Sequence, residues 1–564
     1  MKKRTMTLIS ALTIASCFLL ALGAVLGSKA GFINLKATDL CDGHHSGNHY
    51  TQRDPSAEVS GCAEYWVCCK CHEHFVGSEP ENSSWVDKGV ATEVITDPTD
   101  TRYLEPHLIY NLDFADSAHR LADASSSSKN YADTVGVGGL TYVNGPQLYV
   151  DGVQKQLTAV DVPTGSGPSS YIKLPWTIAD NDEVSLSYWV YVPADDTTPY
   201  RWYMDVFGNG GWRYAWQMRN GEFWQGVKPC LILNNGWAES PAAPANSDNT
   251  SASAPESGIL NHAMGGYVNM VYTFSSTALN VYQNGKLTLS YSGNYSMKRL
   301  HTAVNEDASG IYLGGSHWGD SNLGGRIADV RVYDTILTEQ QINSEIPGLN
   351  DYRNFLTSAY EFNNGLQDNV KTKADGSKLE GVILGDASVS NGCLEMPVSE
   401  EDTSGASLSP VVISGHRQLT VHTKVKLYSA ATWRHVFEIA ISNGTFITLY
   451  AHHDIFQLKY AYDNWNASYA WQINSPAFEL NTWYDLVITF TGEQTSLYVN
   501  GTLIQTIDAL YNNSIFWGCY YNSGEVQVKL GCSSWWDAKN SFNGSMDFFR
   551  MYSKALTASE VAAL

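Results

Sequence analysis

The sequence predicts a mainly β chain: two antiparallel β-sandwiches in tandem, behind a small Cys/His module and an N-terminal apolar helix. Three observations carry that prediction. Val184–Val192 and Leu419–Leu427 alternate apolar with mostly polar or amphipathic residues, the period of a strand with one face on a core. Strand pairs meet at Asn284-Gly285 and Asn500-Gly501, dipeptides able to take the φ > 0 conformations of a tight hairpin. The whole pattern also occurs twice. LGGSHWGDSNLGGRIADVRVY at 313–333 and LGCSSWWDAKNSFNGSMDFFRMY at 530–552 share a Leu-Gly entry, a Trp/Asp loop and a strand ending Arg-x-Tyr.

From the N-terminus, Met1-Lys2-Lys3-Arg4 precedes residues 6–27, which carry no charge. Such a segment is an export signal, either cleaved near Ser28-Lys29-Ala30 or retained across the bilayer with the remainder outside the cell. Ile14-Ala15-Ser16-Cys17 also fits a lipoprotein box, although apolar residues continue past Cys17 where a mature lipoprotein turns polar. The chain is therefore expected to be extracellular, at the cell surface or secreted, with residues 1–30 as its route to the membrane. Five of the ten cysteines fall between 41 and 71, so the large domains are not disulfide scaffolds. Within 38–80, Cys41-x-x-His44 and Cys68-x-x-Cys71 suit tetrahedral zinc held by three sulfurs and one imidazole, with His49 able to replace His44. Disulfides are the alternative in an exported protein, but five cysteines cannot all pair within the segment. A closed four-ligand shell would be structural.

A chain of 564 residues exceeds one ordinary core, and two large β domains, 105–346 and 356–564, account for most of it. Aromatic residues make up 12% and charged residues only 16%, so Ser, Thr, Asn and Gly must cover the surface, as in extracellular β proteins. With 35 basic against 57 acidic residues the net charge is −22, which excludes nucleic acid as the main partner. In each copy the Asn-Gly hairpin is followed by the quoted strand and a short helix signal, Leu337-Thr338-x-x-Gln341 or Leu556-Thr557-x-x-Glu560, both capping-box patterns. The first copy is longer, and its polar stretches around 124–140 and 234–261 read as surface loops. Residues 347–356 are too few for a flexible tether, so the two domains are expected to sit against each other.

Together, Y-x-F near the start of the second copy (Tyr360-Glu361-Phe362, with Leu112-Asp113-Phe114 in the first), the Trp189-Val190 strand, strand–Asn-Gly–strand, Arg331-x-Tyr333-x-x-x-Leu337-Thr338 and Arg550-x-Tyr552-x-x-x-Leu556-Thr557 resemble the laminin-G-like, concanavalin-A-like jelly-roll domains. The resemblance covers most of the chain. It implies two antiparallel jelly rolls, often with structural calcium, and commonly sugar or glycoprotein binding; fold alone does not decide among lectin, adhesion module and spacer. Residues 41–75 resemble a small Cys/His module of Gram-positive surface proteins, with Glu64-Tyr65-Trp66-x-Cys68-x-x-Cys71 as its signature. For calcium the candidates are Asp329 and Asp547, with the early acids Asp123 and Asp368 as partners, since Ca²⁺ needs six or more oxygens from several segments. Counted back from the shared Arg, Asp329 and Asp547 differ by one position, a shift that swaps the face of a strand.

For ligand binding the candidates are Trp318 and Asp320 in the first copy and Trp535, Trp536 and Asp537 in the second. Sugars stack apolar C–H faces on indoles while their hydroxyls need carboxylates or amides, and both lie within a few residues here. Trp318 and Trp535 align and read as plugs at the end of each sandwich; Trp536, opposite Gly319, reads as a ligand platform. No Glu-x-Asp-x-Glu strand, Gly-x-Ser-x-Gly elbow or His-Glu-x-x-His helix is present. The reading is thus a non-catalytic, surface-tethered binder of glycans or glycoproteins. A structural or adhesive spacer contacting proteins is the alternative, and a glycoside hydrolase a third.

Overall fold

The computed structural model describes the strands Gly47–Tyr50, Tyr65–Cys68 and His74–Val76 and, from 108 to 564, all but 118–139, 166–168, 197–200, 208–213, 221–228, 236–264, 299–309, 316, 318–320, 400–402, 414–417, 443–444, 462–470, 509–525 and 535–539. The chain divides into two compact units, residues 1–94 and 95–564. In the first, the three short strands form one antiparallel sheet whose register sets Cys68 opposite Gly47. The export segment 1–30 and the remaining zinc candidates Cys41, His44 and Cys71 lie outside the described residues.

The second unit holds both sandwiches, and every strand pairing in it is antiparallel. The first sandwich sets a five-stranded sheet (Pro229–Asn235, Tyr214–Asn220, Trp202–Phe207, Gly310–Leu313, Ile172–Leu174) against an eight-stranded one centred on Val184–Tyr191 and Gly325–Tyr333. In the second, a seven-stranded sheet (Val382–Leu384, Gly405–Leu408, Gln527–Leu530, Arg434–Ser442, Thr445–His452, Ile455–Ala461, Trp471–Ala477) faces an eight-stranded one centred on Leu419–Leu427 and Gly544–Tyr552. Each sandwich has its own apolar core: Leu186, Tyr188, Val206, Ile311 and Ile327 in the first, Val421, Phe437, Ile447, Leu458 and Phe549 in the second.

The repeat recurs at the level of single bonds. Asn284 and Asn500 both sit at φ 49°, with Gly285 and Gly501 near 75°, and each Asn Oδ1 accepts a backbone N–H, from Asn269 at 3.0 Å and Asp485 at 2.9 Å. The closing helices Glu339–Glu345 and Ala558–Val561 both have complete capping boxes. Ser185 Oγ and Thr420 Oγ1 each donate to the chain just before that helix, at Thr335 O and Lys554 O, and accept from the N–H of Leu337 and Leu556. Gly325 and Gly544, which open the Arg-x-Tyr strands, lie so close to the neighbouring strand that a Cβ would stand 2.1 Å from Tyr191 O and 2.2 Å from Lys426 O.

The two sandwiches are joined through a third buried apolar cluster. It takes Trp189 and Val271 from the outward face of the first eight-stranded sheet, Val487 and Tyr498 from that of the second, and Phe355 from the connecting segment. Backbone bonds cross as well, Ala194 N to Thr372 O at 2.9 Å and Thr372 N to Gly265 O at 3.2 Å. The short connector at 347–356 thus leads, as expected, to domains in direct contact.

Candidate functional site

In both copies a strand ending in Leu-Gly leads into the Trp/Asp loop. Gly314 and Gly531 take φ of 82° and 73°, where a side chain would be strained, and turn the chain out of the sheet. The two ends of each loop then bond to each other, Leu323 N to Gly314 O and Phe542 N to Gly531 O, both at 2.8 Å. The same pair of charged residues grips both loops. In the first copy Arg201 Nη1 donates to Leu323 O at 2.7 Å, while Asp205 Oδ2 accepts the His317 backbone N–H at 2.9 Å and lies 2.7 Å from His317 Nδ1. In the second, Arg434 Nη1 donates to Ser541 O at 2.9 Å; Glu438 accepts the Ser534 N–H at 2.8 Å on one oxygen and the Ser533 hydroxyl at 2.7 Å on the other. Asp205 is 0% and Glu438 1% exposed. Burial pushes the Glu438 carboxyl above the usual glutamate value, opposed by those Ser533 and Ser534 bonds. Each acid lies four residues after its Arg, on a strand whose neighbouring side chains point into the core. Sequence reasoning missed this Arg-x-x-x-Asp/Glu pair; the signal was an acid inside an apolar strand in both copies.

Glu438 belongs to the outward face of the seven-stranded sheet. Strand register aligns Ser407, Lys529, Glu438, Thr448, Lys459 and Gln472 in one row across it. At the end of the sheet where the loop is rooted, an aromatic group gathers. The half-buried Trp433 ring lies 5.0 Å from both Tyr450 and His452, and His435 lies 5.8 Å from Tyr450. Thr448 Oγ1 donates to Phe437 O at 2.9 Å, so the His435 Nδ1 3.0 Å away must be its donor; His435 is the neutral Nδ1–H tautomer, in keeping with burial that pulls its pKa down to about 3. Burial pushes the Tyr450 hydroxyl up to about 12. Tyr450 Oη and His452 Nδ1 are buried and have no hydrogen-bond partner among the described residues. The first copy gathers a different aromatic group, beside and beyond Asp205 rather than before the acid: Phe207 stacks on His317 at 4.1 Å and meets Tyr312 at 4.9 Å, and Tyr312 stacks on Tyr171 at 4.0 Å.

The loop candidates Trp318, Asp320, Trp535, Trp536 and Asp537, and the calcium candidate Asp123, lie outside the described residues; only the loop bases can be placed. The other calcium candidates are apart and engaged. Asp329, at φ 48° in a bulge, accepts from Arg331 Nε at 3.0 Å. Asp547 accepts from Lys424 Nζ at 3.0 Å. Asp368 takes the Ser358 hydroxyl at 2.5 Å and the backbone N–H groups of Ala359, Val370 and Lys371 at 2.9–3.1 Å. Each of these carboxylates is engaged by protein donors, and no group of three or more His, Cys, Asp or Glu suited to a metal occurs among the described residues. The repeated Arg has changed partner between copies, from Asp329 for Arg331 to Glu361 for Arg550, at 2.7 and 2.8 Å.

No curated protein matches the chain. Among solved structures, domain 4 of AbnA, an extracellular arabinanase from Geobacillus stearothermophilus in complex with arabinotriose, is 19% identical, with a TM-score of 0.28, over 37% of this chain and 97% of that one. The binding domain of botulinum neurotoxin serotype D/C is 13% identical, with a TM-score of 0.30, over 38% of this chain and 52% of that one. The Ruminococcus gnavus IT-sialidase CBM40 bound to α2,3-sialyllactose is 18% identical, with a TM-score of 0.21, over 26% of this chain and 80% of that one. The sequence itself matches the concanavalin A-like lectin/glucanases superfamily twice, over residues 164–343 and 400–562, more than half of its length. With two such sandwiches, each carrying the same gripped loop, the chain belongs to that superfamily.

Proposed function

We propose that the protein is exported and surface-tethered, and binds glycans or glycoproteins without catalysis through the outward face of the second domain's seven-stranded sheet. The observation that carries this reading is a half-buried indole, Trp433, beside two buried polar atoms, Tyr450 Oη and His452 Nδ1, that the described residues leave without partners. A sugar ring offers an apolar C–H face to the first and hydroxyls to the others. Trp535, Trp536 and Asp537 belong to the loop rooted at the same end of the sheet. The non-catalytic reading is supported by the row around Glu438: both its oxygens serve the loop, and its row supplies no second carboxylate of the kind glycoside hydrolysis requires. Trp433→Ala and Trp536→Ala are each expected to weaken binding of the best glycan on an array about ten-fold, the worth of one good stacking contact, with an unchanged melting temperature. No binding to any glycan would favour the protein-contacting spacer, and turnover of a polysaccharide by the purified protein would sink both readings.

Residues 38–80 are proposed to be a zinc module, on the strength of Cys41-x-x-His44 and Cys68-x-x-Cys71. Native mass spectrometry is expected to find about one zinc per chain. A metal-free, disulfide-bonded segment would overturn it.

A further inference from the structure

The two loop-bearing faces differ in charge. In the second domain the row across the sheet holds two lysines, Lys529 and Lys459, one on each side of Glu438 and Thr448. Three strand spacings separate them, roughly 14 Å. Both are half-buried: Lys529 Nζ donates to Ser407 Oγ at 3.2 Å, and Lys459 Nζ lies 5.8 Å from the Trp433 ring centre. The one carboxylate between them is occupied on both oxygens by the loop, and His435 on the same face is the neutral tautomer. In the first domain the register positions of the two lysines are taken by Tyr312 and Ile232, and the one lysine of that row, Lys173, stands on the next strand beyond Tyr312, so no pair of cations brackets the buried acid. On a chain of net charge −22, two ammonium groups on a sheet face beside an indole form a local exception.

We infer that the second domain takes an anionic polysaccharide, its carboxylate or sulfate groups held by Lys529 and Lys459 while a sugar ring rests on Trp433, and that the first domain does not share this ligand class. The inference rests on the glycan-binding reading of the same face. Partly desolvated ammonium–anion contacts are stronger than exposed ones, and the two lysines bracket a length of chain rather than one sugar.

The test measures binding of the full chain to polygalacturonate, to dextran sulfate and to neutral dextran by affinity electrophoresis and calorimetry at physiological ionic strength. Polygalacturonate or dextran sulfate is expected to bind in preference to dextran, and which of the two binds identifies the anion. The double variant Lys459→Met/Lys529→Met is expected to lose affinity by about ten-fold or more with an unchanged melting temperature, from the loss of two charge-assisted contacts. Lys459→Arg/Lys529→Arg should retain binding. Lys424→Met/Lys426→Met, on the outward face of the other sheet, should leave binding unchanged, which separates a site from general electrostatic attraction. Neutral glycans bound through Trp433 with no effect of the Lys459/Lys529 pair would overturn this inference and leave the glycan reading standing. Binding to none of the three polymers and to nothing on an array would remove both.

Discussion

Glu438→Ala is expected to release the second domain's Trp/Asp loop, at a cost of about 2–3 kcal/mol and with loss of glycan binding at temperatures well below unfolding. The cost comes from what stays behind: the Ser534 N–H and the Ser533 hydroxyl lose the acceptor that satisfies them in a buried setting, and an unpaired buried donor costs roughly 1–3 kcal/mol. Part is returned, because burying the carboxylate charge is itself unfavourable. Glu438→Gln keeps one acceptor and should cost less. The pair of variants also gives a pH signature. The folded carboxyl titrates above its unfolded value, so the folded state holds the proton more tightly, and wild type should gain stability relative to Glu438→Gln as pH falls through the folded pKa toward about 4.5. Urea melts of both proteins between pH 4 and 8 would measure this. A gap that widens in favour of Gln as pH falls would show that the carboxylate is not buried as described.

Phe355→Ala is expected to cost about 3–4 kcal/mol and to split one calorimetric transition into two. Phe355 is 3% exposed and sits in the cluster that both sandwiches share, its ring 5.3 Å from Lys554 Nζ and its carbonyl accepting the Ser553 N–H at 2.8 Å. Deleting the ring leaves a cavity where the domains meet rather than inside either core. Each sandwich keeps its own buried residues and should still melt cooperatively. A single transition, merely shifted, would mean that the joint is not what couples the two domains.

The fold was legible in the sequence because its signals are local. Asn284-Gly285 and Asn500-Gly501 specify hairpins through backbone conformation, and Thr338 and Thr557 specify helix starts through side chains three residues away; both appear as read. The loop grip was less legible. Asp205 and Glu438 differ in residue type, contact the loop through its backbone N–H, and lie about 100 residues before it, so nothing local advertises them; only comparing the copies from Arg201 and Arg434 onward exposes the four-residue spacing. The surroundings of the calcium candidates were illegible for a related reason. A lone acid near the end of a strand looks the same in sequence whether it awaits a cation or already has Arg331 or Lys424 beside it. Trp433, Tyr450 and His452 were invisible as a group because they come together only through the pairing of two strands around a bulge.

The joint between the sandwiches also fixes how the protein can use two sites. Domains on a flexible tether raise the local concentration of the second site by an amount set by linker length, and can adjust to ligands of many spacings. Here the eight-stranded sheets are spent on each other, and each gripped loop belongs to the opposite sheet of its own sandwich. Any cooperation between them therefore has one geometry and no slack. A glycan short enough to meet one face would gain nothing from the other domain, whereas a surface presenting a different ligand to each face at that single spacing would be held with the full advantage of two attachments.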